Sequence, residues 1–336
     1  SADDPPSGHG VAVAFSAKRK LAHELALSIQ ALRKTHSADR ATSSNVARFG
    51  EVYKFWRETK FKVFDALPDE ALALWCYDGA VVVHPGAGTI DAVGDGVDAG
   101  RVGRDVWLMN GQWQRPFGTA AEYICMPEKY VIDLPAGTDM AEAACFGIPF
   151  LTAHRAVMFD GEVSGQTILV QGGAGAVGDH AVQVAKANGA RVITTVSSEE
   201  KDAYVRKVGA DEVINYRTED MAARIRDLTD GKGVDRIVEL NLSANAPSYG
   251  EILAPRGTVI IYGTVDAMAS VPAQDFIVNG ANLKWFIVYS ITDAERDEGV
   301  AALNKMLADG GLTTTIAARF PLDEIVAAHE MVEAAR

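Results

Sequence analysis

Glycines and other small residues are concentrated at positions 172–178, between an apolar run and a segment with helical spacing of apolar residues. A turn of this composition lets the backbone approach a pyrophosphate, whose charge is then favoured at the N-terminus of the helix. A second apolar run at 191–196 follows and completes a strand–helix–strand unit. The pattern predicts a dinucleotide site, although a purely structural turn remains the alternative. The predicted contacts are Gly172, Gly175, Ala176, Val177 and Gly178.

The residues after the second strand indicate which form of the cofactor is bound. Ser197 and Ser198 stand where proteins that prefer the unphosphorylated cofactor carry an acid, and Lys201 follows one helical turn later. Hydroxyl groups and a cation favour a 2′-phosphate. Tyr216, at the end of the third strand, is placed to close over the adenine or the phosphate. The glutamates at 199–200 are assigned to the first turn of a helix, so NADPH is the predicted cofactor.

Two other kinds of dehydrogenase chemistry lack their residues in this sequence. No tyrosine has a lysine four positions later, as a short-chain dehydrogenase requires. The cysteines Cys76, Cys125 and Cys145 are far apart, and the seven histidines are scattered. A zinc site normally needs closely spaced Cys and His ligands, so we predict no metal.

Composition limits the partners of the chain. Lys and Arg number 32 against 45 Asp and Glu, a formal charge of −13, which disfavours nucleic acid. No apolar run is long enough to span a bilayer, and the acidic, proline-rich start differs from a signal peptide. The sequence therefore predicts a cytoplasmic protein that acts on a small molecule, away from membranes.

The order of elements predicts two kinds of domain. Short apolar runs separated by glycine-rich turns over 80–121 are typical of a small β-barrel-like domain. Strands and helices alternate over about 150–290, which favours a parallel sheet covered on both faces. Further helices are predicted at 18–34, 292–308 and 322–335, and a strand at 258–262.

Several ordered strings make the chain resemble the zinc-free medium-chain dehydrogenase/reductase superfamily, in its quinone oxidoreductase (zeta-crystallin-like) branch. The resemblance covers about 80–336, whereas the first 80 residues depart from the pattern of strands that the family has there. The strings lie at 91–97, 118–123, 147–153, 172–178, 208–211 and 213–217.

The resemblance implies an α/β protein with two domains. A GroES-like β-rich catalytic domain would comprise 1–149 and 290–336, with 1–80 atypical. A Rossmann domain with a doubly wound parallel sheet would comprise 150–289 and bind NADPH, with the active site in the cleft. Members are commonly dimers or tetramers, so a homo-oligomer is expected.

The resemblance also assigns roles to individual residues. Thr152 would lie near the nicotinamide, and Tyr53 is the nearest match to the nicotinamide-facing tyrosine of the family. Ser197, Lys201 and Tyr216 would contact the 2′-phosphate, with Ser198 beside them. The residues expected around the riboses and the nicotinamide are Asn241, Gly263, Thr264, Phe286 and Val288.

Three functions are compatible with this pattern. The first is an NADPH-dependent reductase that transfers hydride to quinones or similar flat, electron-poor acceptors, mainly by proximity. The second is a reductase of activated double bonds (enals, enones or enoyl thioesters), which would use a proton donor such as Tyr53 or Tyr123. The third, of another class, is an NADPH-binding structural or regulatory protein with little turnover, as in the crystallins.

Overall fold

The computed structural model describes residues 10–14, 85–113 and 118–334, which divide along the chain into two compact units. One unit contains the described residues up to Gly147 together with those from Ile316 onward, and the other runs from Ile148 to Thr315. The predicted domain at 150–289 stays a prediction, and the second unit extends beyond it. Tyr53 and the helix predicted at 18–34 lie outside the described residues. No helix among the described residues has the length and apolar character needed to cross a membrane.

The first unit contains an antiparallel five-stranded sheet. Its strand order is β4-β1-β2-β3-β5, with Gly86 opposite Leu108 where β2 pairs with β3. Alternating side chains on one face, among them Ile90, Val106 and Ile124, form its core, as expected for a half-buried sheet. The strands are β1 (Gly10–Ala14), β2 (Gly86–Val93), β3 (Asp105–Leu108), β4 (Tyr123–Pro127) and β5 (Val131–Asp133).

The second unit is built on a parallel six-stranded sheet. The strand order is β8-β7-β6-β9-β10-β11. From β6 the chain adds strands outward on one side as far as β8, and it then returns to add β9 to β11 on the other side of β6. This is the doubly wound dinucleotide-binding arrangement, in which ligands bind outside the carboxyl ends of the strands. The strands are β6 (Thr167–Val170), β7 (Arg191–Val196), β8 (Glu212–Asn215), β9 (Val234–Glu239), β10 (Leu253–Ile261) and β11 (Asn282–Trp285).

The strands of this sheet are apolar because helices cover both faces. Ile168, Leu169 and Val170 in β6 are completely buried, which explains why the strand is a continuous apolar run. The fold class is therefore α/β, as the sequence predicts.

Several helices begin after a side chain that accepts a hydrogen bond from a free N–H group of the first turn. Ser198, Asp220 and Thr292 each accept a hydrogen bond from a backbone N–H two or three residues into the helix they precede, and Glu295 completes a capping box with Thr292. The helices are α1 (Met140–Ala143), α2 (Gly147–Met158), α3 (Ala176–Ala187), α4 (Glu199–Lys207), α5 (Met221–Leu228), α6 (Leu242–Asn245), α7 (Tyr249–Ile252), α8 (Ala273–Asn279), α9 (Asp293–Ala308) and α10 (Ile325–Ala334).

Strand β10 is longer than its sequence indicates. The strand predicted at 258–262 begins at Leu253, because Pro255 and Gly257 are accommodated within it instead of ending it. Arg256 adopts a left-handed conformation (φ 62°), and the pairing with β9 shifts register between Leu253 and Thr258. A local bulge of this kind inserts residues into a strand without terminating it.

Candidate functional site

Residues that the sequence singles out lie one or two positions after the strands of the parallel sheet. Gly172 follows β6, Ser197 follows β7 and Tyr216 follows β8. Asn241 and Gly263 come two residues after β9 and β10. Since the strands are parallel, all of these residues lie at the carboxyl edge of the sheet, where such folds bind ligands.

The glycine turn between β6 and α3 is fixed by hydrogen bonds to the neighbouring strand β7. Gly172 is in the left-handed conformation (φ 67°), and its N–H donates to the Thr195 hydroxyl at 2.9 Å. The Gly173 N–H donates to the Thr195 carbonyl at 3.1 Å, and the Gly175 N–H donates to the Gly172 carbonyl at 2.9 Å. These bonds fix the turn in a conformation that a side chain at position 172 would strain.

The glycine turn also brings α3 very close to the preceding chain. A Cβ atom at Gly178 would lie 2.2 Å from the Gly172 carbonyl oxygen, and one at Gly173 would lie 2.0 Å from Thr194 Oγ1. Gly175 occupies the N-cap position of α3 and provides no capping side chain. The first-turn N–H groups of Ala176 and Val177 are therefore free of a side-chain cap, which is the arrangement that accommodates a phosphate.

A cation and two hydroxyl groups occupy the end of β7. Lys201 Nζ donates to Ser197 Oγ at 3.2 Å, and Ser198 Oγ accepts from the Lys201 N–H at 3.3 Å. Lys201 is exposed, and so is the Tyr216 side chain after the neighbouring strand. The first turn of α4 carries Glu199 and Glu200, as the sequence predicts for residues at a helix N-terminus.

The loops after β9 and β10 are joined by hydrogen bonds. Asn241 Oδ1 accepts from the Val265 N–H at 3.1 Å, and the Leu242 N–H donates to the Gly263 carbonyl at 3.4 Å. Thr264 Oγ1 donates to the Asp266 carbonyl at 3.0 Å, inside the second loop. Asn241, Gly263 and Thr264 thus belong to one hydrogen-bonded pair of loops.

The remaining predicted residues of this unit lie on α2 and after β11. The Phe286 ring is 6.0 Å from the Phe159 ring and 6.5 Å from the Tyr262 ring, and Val288 is buried. Thr152 is also buried, and its hydroxyl donates to the Ile148 carbonyl at 2.7 Å within α2. The contacts of these three residues with a ligand remain a prediction.

Two groups of polar residues behind the site carry no signal in the sequence. Thr195 Oγ1 donates to Gln171 Oε1 at 2.8 Å, and Gln171 Nε2 donates to the buried Tyr249 hydroxyl at 3.2 Å. Glu239, at the end of β9, is fully buried. No regular spacing relates these residues in the sequence, so no pattern identifies them before the strands are in place.

Asp179, in the first turn of α3, is a second buried acid. Gln183 Nε2 donates to its Oδ1 at 3.1 Å, and the Tyr204 hydroxyl lies beside it. Burial raises the pKa of Asp179 to about 7, while these two neighbours lower it by a smaller amount. The folded protein therefore holds this proton at pH values where the unfolded chain has released it.

We expect Asp179→Asn to stabilise the protein increasingly as pH rises. The cost of ionising Asp179 is absent below its ordinary pKa of 3.8, grows above that value and levels off above pH 7. At pH 8 the variant should gain up to about 4 kcal/mol in free energy of unfolding, because each pKa unit of the shift corresponds to about 1.4 kcal/mol, and at pH 4 it should gain almost nothing. Urea unfolding at both pH values measures this difference, with the exposed Asp227→Asn as control. An equal effect at both pH values would contradict the assignment.

Metal ligands are not grouped in the parts of the chain that the structure describes. Within them, no three His, Cys, Asp or Glu side chains lie close enough together to hold a metal ion.

A doubly wound sheet with a glycine turn after its first strand and polar residues at its carboxyl edge defines a dinucleotide-binding protein of the Rossmann class. The family model described as "Zinc-binding dehydrogenase" matches residues 176–305. Human quinone oxidoreductase is 31% identical over 247 residues, which cover 73% of this chain and 74% of the relative. A Burkholderia 2-haloacrylate reductase is 31% identical over 259 residues, covering 74% of this chain and 76% of the relative.

A solved structure gives the same answer for the fold. Quinone oxidoreductase from Escherichia coli, complexed with NADPH, superposes with a TM-score of 0.67 at 26% identity, covering 75% of this chain and 78% of that one. The chain belongs to the quinone oxidoreductase branch of the zinc-free medium-chain dehydrogenase/reductase superfamily, and it is an oxidoreductase of that type.

Proposed function

We propose that this protein is an NADPH-dependent reductase of quinones or similar flat, electron-poor acceptors. The observation that carries the proposal is the pairing of the tight glycine turn with Lys201 and Ser197 at the end of the next strand. A tight glycine turn at a helix N-terminus suits a pyrophosphate, and a cation with hydroxyl groups suits a 2′-phosphate, so the pairing supports NADPH as the cofactor. The E. coli relative bound to NADPH supports the same cofactor.

Each part of the cofactor would be bound by a different group of residues, most of which lie at the carboxyl edge of the parallel sheet. Gly172, Gly175 and the first turn of α3 (Ala176, Val177 and Gly178) hold the pyrophosphate. Ser197, Ser198, Lys201 and Tyr216 hold the 2′-phosphate and the adenine. The loops with Asn241, Gly263 and Thr264 border the riboses, and Thr152, Phe286 and Val288 border the nicotinamide.

The reaction needs little from the protein beyond placement. When bound, NADPH supplies a hydride to an acceptor held against its nicotinamide ring. The side chains around that ring would keep the acceptor stacked and exclude water, which is catalysis by proximity. Hydride transfer leaves a hydroquinone anion, whose oxygen takes the one remaining proton from solvent, so the chain needs no dedicated acid for this acceptor.

The proposal is tested by following NADPH oxidation optically with 1,4-naphthoquinone and with 9,10-phenanthrenequinone. An enal of similar size is the competing acceptor, and each assay is repeated with NADH. We expect turnover with the quinones and a preference for NADPH. Turnover with the enal alone would contradict the quinone assignment, and cofactor binding without any turnover would favour a structural or regulatory role.

A second candidate is the reduction of activated carbon–carbon double bonds. The Burkholderia 2-haloacrylate reductase relative favours it, because its substrate name denotes such a bond. This chemistry protonates a carbon and so benefits from a placed acid. Tyr123, in β4 of the first unit, is the described candidate, whereas Tyr53 lies outside the described residues.

Self-association is the expected use of the outer edge of the parallel sheet. In the described part of the chain, β11 pairs with β10 on one side and with no strand on the other. A second copy related by a two-fold axis would pair its own β11 there and continue the sheet. Exposed apolar side chains lie on β11, in the connection from β10 to β11 and directly after β11: Val265, Met268, Val271, Ile277, Val278, Trp285 and Ile287.

We expect Trp285→Lys to convert a dimer of this kind into monomers. The Trp285 side chain is 58% exposed in the single chain, so its replacement removes only part of the internal packing of an indole and adds a charge that a paired strand would have to bury. Sedimentation velocity measures the mass of the particle. Val102→Lys, at an exposed valine of the first unit, is the matched control. Dimers that persist in Trp285→Lys would exclude this edge as the interface.

A further inference from the structure

Glu239 is a buried acid that none of the roles described above uses. It ends β9, next to the point where the strand order of the parallel sheet reverses, and its side chain is completely buried. Its carboxyl group accepts hydrogen bonds from the backbone N–H groups of Leu240 and Asn241. Asn245 Nδ2 lies 3.1 Å from each of its two oxygens. All of these neighbours are donors, so the surroundings of Glu239 suit a carboxylate that only accepts.

Asn241 connects Glu239 to the loops that are proposed to border the cofactor. Its N–H is held by Glu239, while its Oδ1 accepts from the Val265 N–H at 3.1 Å and from Ser243 Oγ at 2.9 Å. The Asp266 N–H in turn donates to Ser243 Oγ at 3.3 Å. One buried carboxylate therefore fixes the loop after β9 directly and the loop after β10 through Asn241.

We propose that Glu239 and Asn245 form a positioning pair, which holds the loops after β9 and β10 in the conformation that NADPH binding requires. This inference rests on the proposed function, because it concerns the same cofactor site. Glu239 acts through Asn241 and does not itself contact the cofactor. In this pair the carboxylate oxygens of Glu239 are the acceptors, and the side-chain NH2 group of Asn245, the last residue of α6, is the donor.

The pair gives the site a dependence on pH. Burial raises the pKa of Glu239 to about 7, and its N–H donors lower it by less. Among the described residues that face Glu239, those that perturb its pKa are the amides of Leu240, Asn241 and Asn245, none of which is charged. Below pH 7 the carboxyl group is protonated, so one oxygen becomes a donor that faces other donors. NADPH affinity should then fall as pH drops through 7.

Glu239→Gln tests the inference without changing the size of the side chain. Its carboxamide places an NH2 group against donors, so the dissociation constant for NADPH should rise about tenfold at pH 8, with a smaller effect on kcat. The 2′-phosphate of NADPH titrates near pH 6 in wild type and variant alike, and Asp179 is also common to both. Any pH dependence of the NADPH dissociation constant that the wild type shows and Glu239→Gln lacks is therefore due to the titration of Glu239. Glu251→Gln, at an exposed acid on α7, is the matched control.

The outcomes separate this inference from the proposed function. If the wild-type protein fails to bind NADPH, the proposed function fails, and the inference fails with it. If wild type binds NADPH and Glu239→Gln binds it with the same affinity and pH profile, the positioning role alone is overturned. A purely structural role would lower the melting temperature of Glu239→Gln and leave both readouts unchanged.

Two further variants keep the inference testable if Glu239→Gln does not fold. Glu239→Asp retains the charge, and it should recover most of the pH dependence. Asn245→Ala removes one donor and leaves the bond from Asn241 in place, so the dissociation constant should rise about threefold. An unchanged constant in Asn245→Ala would also contradict the positioning pair.

Discussion

We expect Gly178→Ala to weaken NADPH binding by at least about 100-fold. The added Cβ atom would lie 2.2 Å from the Gly172 carbonyl oxygen and 2.9 Å from the Gly173 Cα atom, distances that no real carbon contact shows. Both neighbours are backbone atoms, so the clash is relieved only if α3 moves away from the glycine turn. That movement separates the helix N-terminus from the turn, and the pyrophosphate loses its combined site. A loss of about 2.7 kcal/mol, typical of overpacking plus lost hydrogen bonds, corresponds to this factor.

Fluorescence titration of the bound nicotinamide measures the dissociation constant of the Gly178→Ala variant. Gly311→Ala is the matched control, because its Cβ atom would meet nothing closer than 3.7 Å. We expect the control to bind as the wild type does. If Gly178→Ala kept wild-type affinity while remaining folded, the pyrophosphate would not lie at this turn.

The second large effect is expected for Lys201→Glu, which should reduce the preference for NADPH over NADH by about 100-fold. Lys201 is held toward the end of β7 by its hydrogen bond to Ser197, where the 2′-phosphate is proposed to lie. The substitution replaces an attraction by a repulsion, and each such charge interaction near a protein surface is worth roughly 1 to 4 kcal/mol at 4 Å. A carboxylate also suits the free 2′-hydroxyl of NADH, so affinity for NADH should be unchanged or improved.

The ratio of kcat/KM values for NADPH and NADH measures this change in preference. Lys207→Glu, in the last turn of the same helix, makes the same change of charge away from the end of β7. A control that lowered NADPH affinity equally would indicate a general electrostatic effect. An unchanged ratio in Lys201→Glu would place the 2′-phosphate elsewhere.

The sequence predicts the site best where a residue type is required by the local backbone conformation. The glycine turn was predictable, because Gly172 needs a left-handed conformation and Gly178 needs space for a neighbouring backbone. The residues after the strands were predictable for a related reason. Once the strands are parallel, Ser197, Tyr216 and Asn241 must share one edge of the sheet.

The buried polar residues could not be predicted in the same way. Asn245 reaches Glu239 only because the chain turns back into α6 after β9, and Asp179 is approached by Tyr204 from a different helix, α4. Such contacts depend on tertiary packing, which local spacing does not encode. The strand predicted at 258–262 was too short for a similar reason, since the bulge at Arg256 is stabilised by pairing with β9.

The claim that this site binds NADPH through its 2′-phosphate is tested most directly by equilibrium titration of the wild-type protein with NADPH and NADH. We expect one site per chain and at least about tenfold tighter binding of NADPH, since a single charged contact of about 1.4 kcal/mol gives that factor. Equal affinity for the two cofactors, or a preference for NADH, would contradict it.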